Sequence, residues 1–246
     1  MKGQLESIVA ELVGEAPKEV RALETNPQYR AYLSVGAYVC SYLDHFNIRH
    51  ERDRLPKTLD LFYSWLKAAD DAIDGKRVGG DIILEMYMNQ QQELPNEQVL
   101  CTLTQAFSIR TRPIASSVYH HLQKLYETTQ KEKEAGTMRE FLAIRREVGE
   151  ETARTSLAVM GLHVPLMPAE FEEFFMKVGE FGTILDSAVD FSYDCNHGHI
   201  PFATSNYSQV QIWKATTFLG AKLFSRYPFL FLNHRSSLKH FLKGEL

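Results

Sequence analysis

Residues 57–75, KTLDLFYSWLKAADDAIDG, carry apolar side chains at helical spacing and then run into Asp70, Asp71 and Asp74, with Gly75 placed to cap the helix. Residues four apart on a helix share a face, so Asp70 and Asp74 project together beside Tyr63, Trp65 and Leu66. Anions are disfavoured at the negative, C-terminal end of a helix, and like charges at this spacing repel. Such a cluster is expected to be fully solvated or matched by cations. A second stretch, DSAVDFSYD at 186–194, repeats the arrangement. Asp186, Asp190 and Asp194 form a stripe of three after Ile184 and Leu185, and Asn196-His197-Gly198 signals the helix end. Magnesium suits such carboxylates, being a hard ion that takes oxygen ligands and completes its octahedron with water and substrate phosphate. One and two turns before Asp186, the small residues Gly179, Gly182 and Thr183 are read as leaving space for a ligand.

Helical periodicity recurs along most of the chain, and alternating β patterns closed by Asn-Gly turns are absent. An all-α fold is expected. Helices are predicted over 4–14, 28–50, 57–75, 80–93, 96–132, 137–161, 169–195, 207–225 and 229–243, punctuated by Pro and Gly, with Pro113 kinking or splitting the fifth. No linker rich in Pro, Gly or Ser divides the 246 residues, so a single domain is expected.

The net charge of −4 gives no general attraction to nucleic acid, which is excluded as a partner. Cys40, Cys101 and Cys195 are widely spaced and form no CxxC pair, which predicts reduced thiols and a cytoplasmic protein. No apolar run is long enough to span a bilayer, but PFLFL at 228–232 would give peripheral membrane contact if exposed.

Asp70-Asp71-Ala72-Ile73-Asp74 resembles the DDxxD motif of class I isoprenoid synthases, in the form found in squalene and phytoene synthases. The run from Ile184 to Asp190, followed by Gly198-His199-Ile200-Pro201, is similar to the DxxxD motif of that branch. Its extension to Asp194 is similar to terpene synthases of the tetraprenyl-β-curcumene synthase type. Between the two, the segment from Glu140 to Arg146 resembles the helix of bacterial terpene synthases that carries a diphosphate-sensing arginine. The resemblance spans roughly residues 28–203 by motif order. It implies a helical bundle around a deep apolar cavity, with magnesium at its mouth as a set of three ions, or manganese in their place. A prenyl diphosphate is the implied substrate, and a homodimer is compatible with the class.

On this resemblance Asp70, Asp71, Asp74, Asp186, Asp190 and Asp194 are the metal ligands. Arg145 and Arg146 grip the diphosphate, for which a guanidinium fork suits better than an ammonium. Lys67, one turn before Asp71, assists. Tyr32, Tyr63, Phe181 and Gly182 line the substrate site, where aromatic faces stabilise a carbocation without attacking it. The implied activity is a magnesium-dependent terpene synthase that ionises a linear prenyl diphosphate and cyclises or eliminates the carbocation. Two alternatives stand beside it: a head-to-head prenyltransferase of the squalene and phytoene synthase type, and a non-catalytic isoprenoid-binding helical protein. A plainer reading competes for the arginines, because Glu147, Glu150 and Glu151 surround them and allow an exposed Arg146–Glu150 ion pair.

Overall fold

The computed structural model describes residues 4–30, 32–89, 94, 96–202 and 204–230, with the backbone alone at Gln28, His197 and Asn206. Every regular element among them is helical, as expected. In chain order these are α1 Gln4–Val13, α2 Lys18–Thr25, α3 Pro27–Arg30, α4 Val35–His45, α5 Leu55–Asp74, α6 Gly80–Asn89, α7 Gln98–Thr111, α8 Ala115–Glu132, α9 Met138–Met160, α10 Ala169–Val189, α11 Phe191–His197 and α12 Asn206–Arg226. Short 3₁₀ turns occupy Tyr32–Ser34 and Arg112–Ile114, the second splitting the predicted 96–132 helix at Pro113. The ends of the predicted helices at 90–93 and 231–243 lie outside the described residues. Among those described, no helix is long and apolar enough to cross a membrane.

The chain divides into two compact units, Met1–Glu127 with Arg154–Glu172, and Thr128–Ala153 with Glu173–Leu246. The first is built on α5, which packs on α1, α4, α6 and α7. Its centre is aromatic. Trp65 stacks on Phe107 at 4.8 Å between centroids, and Phe62 and Tyr87 each approach Phe107 to 5.4 Å. Burial of each such side chain contributes about 1.5–3 kcal/mol, provided its polar atom is satisfied. Both polar atoms are: Trp65 Nε1 donates to Thr104 Oγ1 at 2.9 Å, and the Tyr87 hydroxyl meets Thr111 Oγ1 at 2.8 Å. In the same unit His163 bridges two segments, with Nε2 2.9 Å from the buried Thr58 hydroxyl and Nδ1 3.1 Å from Glu51. This contact resembles a nucleophile–base–acid line. Thr58 has no exposed surface, so the line fastens helices and offers nothing to a substrate.

The end of α5 departs from expectation in one detail. Gly75 stays right-handed, and Lys76 takes the left-handed conformation at φ 53°. Arg77 N–H then bonds the Ala72 carbonyl and Lys76 N–H the Ile73 carbonyl, the paired bonds that close a helix with a left-handed residue. The α10–α11 end has the same pair, with Gly198 left-handed, His199 N–H on the Asp194 carbonyl and Gly198 N–H on that of Cys195. The predicted 169–195 helix is broken at Asp190 (φ −91°, ψ 8°). The break seats Phe191 in an apolar cluster with Met138, Phe141, Ile200 and Ile212 while Asp190 stays exposed.

In the second unit, α9 and α10 touch backbone to backbone. A Cβ at Gly179 would fall 2.3 Å from the Gly149 carbonyl oxygen, and one at Gly149 would fall 2.4 Å from that of Gly179. Thr183 Oγ1 lies 3.0 Å from the Arg145 carbonyl. The space expected beneath the aspartates at Gly179 and Thr183 is therefore filled by α9. Gly182 differs, with nothing within 4 Å of the added Cβ. Phe229 and Leu230 are buried, Phe229 lying 5.5 Å from the Phe174 ring. Within PFLFL, Phe229 and Leu230 are thus packed in the core while Pro228 is exposed; Phe231 and Leu232 lie outside the described residues.

Two expectations test this packing. Gly179→Ala should lose about 1–3 kcal/mol in urea unfolding because the helices must move apart, whereas Gly182→Ala should gain up to about 1 kcal/mol from helix propensity alone. The second concerns Asp60, 2% exposed, whose oxygens accept from Gly36 N–H at 2.9 Å and Gln4 Nε2 at 2.8 Å. Burial raises its carboxyl from 3.8 to about 7, outweighing the Gly36 hydrogen bond. The folded chain thus holds a proton that the unfolded chain has released. Stability from this group is full below about pH 4 and falls as pH rises to about 7, by on the order of a few kcal/mol. Asp60→Asn should flatten that part of the melting-temperature profile and raise the melting temperature at pH 8.

Candidate functional site

Each acid cluster carries a cation from its own unit. At the end of α5, Asp70 and Asp74 are exposed on one face. Asp71, half-buried, is turned to Lys67 Nζ at 2.5 Å and the Tyr29 hydroxyl at 3.1 Å. Burial opposes the Lys67 charge, but the bond to Asp71 and its negative charge outweigh it and hold the ammonium above its usual range. The Tyr29 phenol is pushed far up by burial and by the Asp71 charge, so it remains a donor. Arg77 completes this end, with Nη2 donating to the Asp71 carbonyl at 3.0 Å and Nη1 to Glu97 at 2.7 Å. It thereby adds a second donor to a carbonyl that already accepts from Gly75 N–H and sets a cation at the negative end of α5.

Of the residues expected to line a substrate site, Tyr32 sits half-buried on its 3₁₀ turn. Tyr63 is half-buried, with its hydroxyl 2.8 Å from Ser156 Oγ. In the second unit Phe181 packs edge-on against Phe224 of α12 at 5.8 Å, and Gly182 is exposed.

Arg145 organises the second cluster. Its Nε donates to Ser187 Oγ at 2.9 Å, Nη1 reaches both oxygens of Glu132 at 3.4 Å, and Nη2 reaches Asp186 at 3.3 Å and the Thr183 carbonyl at 3.5 Å. All the guanidinium donors are thus occupied, most of them at long range. Burial works against the charge, but Glu132 and Asp186 outweigh it. Asp186 and Asp190 are exposed; Asp194 is half-buried, 3.4 Å from His199 Nδ1. Burial raises the Asp194 carboxyl, with a contribution from the Asp186 charge, against the lowering effects of His199 and Arg145.

Arg146 goes elsewhere. It holds Glu180 through Nε at 3.1 Å and Nη2 at 2.7 Å, and Lys177 also bonds Glu180. Glu180 is 1% exposed, and the two cations hold its carboxyl below the usual range despite burial. The expected Arg146–Glu150 pair gives way to this one because Glu180 offers a desolvated anion in need of compensation.

Tyr29, Glu132, Glu180 and Ser187 were not anticipated. Glu132 and Arg145 face each other across the short α8–α9 connection, a proximity that the 13-residue separation allowed for. Nothing in the local pattern marked Glu180 as buried.

Among the described residues, no three His, Cys, Asp or Glu side chains form a group able to hold a metal by themselves. Magnesium seldom requires one, since it takes one or two carboxylates and fills its octahedron with water and phosphate oxygens. The exposed Asp70–Asp74 pair has that chemistry, as does Asp186 with Asp190. Comparison of the chain with family models, curated proteins and solved structures gives no match.

Removing Arg145 should leave Glu132 and Asp186 without their shared cation. Arg145→Leu is expected to lose on the order of 1–3 kcal/mol in chemical denaturation, mostly through Glu132, because the exposed Asp186 is resolvated. Arg146→Leu should lose less, because Lys177 still compensates Glu180.

Proposed function

We propose that the chain is a magnesium-dependent terpene synthase of the class I isoprenoid synthase type, ionising a linear prenyl diphosphate and cyclising or eliminating the carbocation. The observation that carries this reading is the contact of Arg145 with Asp186. At 3.3 Å the bond is long, Arg145 is largely buried, and the Asp186 carboxylate is 60% exposed. An incoming phosphate oxygen can take the place of Asp186 on the guanidinium, which releases a carboxylate for a cation that arrives with the ligand. Anion binding and cation binding are then coupled through one residue pair.

Magnesium, when bound, would neutralise the leaving diphosphate, and Asp70, Asp74, Asp186 and Asp190 are the carboxylates suited to holding it. Asp71 and Asp194 would add to each cluster after giving up Lys67 and His199. Lys67 in the first unit would offer an ammonium, and Arg145 in the second a guanidinium, of the kind that contacts diphosphate oxygens. Arg146 acts through Glu180 to fix α9 against α10. On this reading Tyr32 and Tyr63 in the first unit, and Phe181 with the open surface at Gly182 in the second, are the residues that would meet the prenyl chain, where aromatic rings favour a cation over water.

The test is a product screen with prenyl diphosphates of increasing chain length in the presence of magnesium. Hydrocarbon or alcohol of the substrate's carbon count, lost on chelation and in Asp70→Asn and Asp190→Asn with the helical circular-dichroism signal kept, is the expected result. A product of doubled carbon number would move the reading to head-to-head coupling. Tight diphosphate binding with no product would move it to an isoprenoid-binding protein.

A further inference from the structure

Helix α12 has two faces. One buries Ile212, Thr216 and Leu223, and the Thr216 hydroxyl donates to the Ile212 carbonyl of its own helix at 2.9 Å. The other exposes Tyr207 at 64%, Val210 at 46%, Trp213 at 39% and Phe218 at 59%. Large apolar groups gathered on one exposed helix face mark an interaction surface, whereas singly scattered ones do not. Charge indicates the partner. The 21 residues of α12 include no Asp or Glu, although the chain as a whole is at −4. Lys214 and Lys222 stand exposed among the aromatics, with Lys222 Nζ 4.3 Å above the Phe218 ring. Arg226, also on α12, is paired to Glu173 and adds little.

We propose that this face of α12 docks on an anionic phospholipid bilayer. Trp and Tyr favour the headgroup level, Phe and Val reach the acyl boundary, and lysines beside them are drawn to negative headgroups. A second copy fits less well. Face-to-face pairing of α12 with itself would set Lys214 and Lys222 against the same cations, with no acid on the helix to offset them. The docking does not depend on the diphosphate reading.

The chain has two tryptophans, and Trp65 is buried at 2% and bonded to Thr104, so a change in emission on binding reports Trp213. The experiment is sedimentation of the full chain with phosphatidylcholine vesicles, with and without phosphatidylserine, alongside emission spectra with brominated lipid. Binding that needs phosphatidylserine and weakens with salt, with quenched and blue-shifted emission, is expected. Lys214→Gln with Lys222→Gln should weaken it about 25-fold, at roughly fivefold per basic residue near the surface. Trp213→Ser with Phe218→Ser should reduce binding at least as far while leaving the circular-dichroism spectrum unchanged. Absence of vesicle binding, or equal binding by both folded variants, would overturn the proposal. A wild-type dimer that the serine variant dissociates would overturn it in favour of a second copy.

Discussion

A carboxylate near the C-terminal end of a helix meets the negative end of the dipole, and two such carboxylates one turn apart also repel each other. That constraint governs both units. At α5 it is met by Lys67 one turn back, by the Tyr29 hydroxyl and by Arg77 on the Asp71 carbonyl. At α10 and α11 it is met by Arg145, reaching from α9, and by His199 just past the helix end. Asp71 is drawn inward to Lys67, whereas in the second cluster Arg145 holds the exposed Asp186 and the half-buried Asp194 lies against His199. Asp71 turns in where Asp70 and Asp74 stay out, and Asp194 turns in where Asp186 and Asp190 stay out. Repulsion is relieved by this division, and the outward carboxylates stay exposed.

The Arg145 site also depends on how closely α9 and α10 approach. With no side chain at Gly149 or Gly179, the two backbones meet, and Thr183 can bond the Arg145 carbonyl. That brings the Ser187 hydroxyl to the guanidinium Nε. Bulk at either glycine would separate the helices by more than the slack in bonds of 3.3–3.5 Å, and Arg145 would lose Asp186 and the Thr183 carbonyl first. The small residues thus set the geometry of the charged site indirectly, through a helix crossing.

Periodicity made the helices and the stacking of Asp70 on Asp74 legible, because both follow from 3.6 residues per turn. Pro113 and Gly198 were legible as a break and a stop for equally local reasons. What was hidden was tertiary. The bend at Asp190 serves Phe191, which must enter a core assembled from α9, α12 and the segment around Ile200. The left-handed residue at the end of α5 is Lys76, one place beyond the glycine that invited the role. Gly179 looked like room for a ligand because a sequence shows that a side chain is small and not what fills the gap. Arg146 was open to a diphosphate or to Glu150 in sequence because Glu180 sits on an unremarkable helical face and only packing makes it buried.

The two faces of α12 tie the charged site to the exposed surface within the second unit. The buried face carries Thr216, whose hydroxyl also lies 3.5 Å from the Ile184 carbonyl, two residues before Asp186 on α10. Phe181, three residues before Ile184 on α10, meets Phe224, eight residues after Thr216 on α12, so the two helices stay in contact over this length. A bilayer bound on the opposite face of α12 would therefore lie one helix diameter, about 10 Å, from the helix that bears Asp186. An amphiphile with a long apolar chain and a charged head partitions into such a surface, with its head at the depth where the lysines sit. Lys214 and Lys222 would draw the anionic head toward the interface, and Arg145 would then compete for it at short range. The aromatic, acid-free composition of α12 is explained by this arrangement, whereas a purely structural helix would gain solubility from acids on the same face.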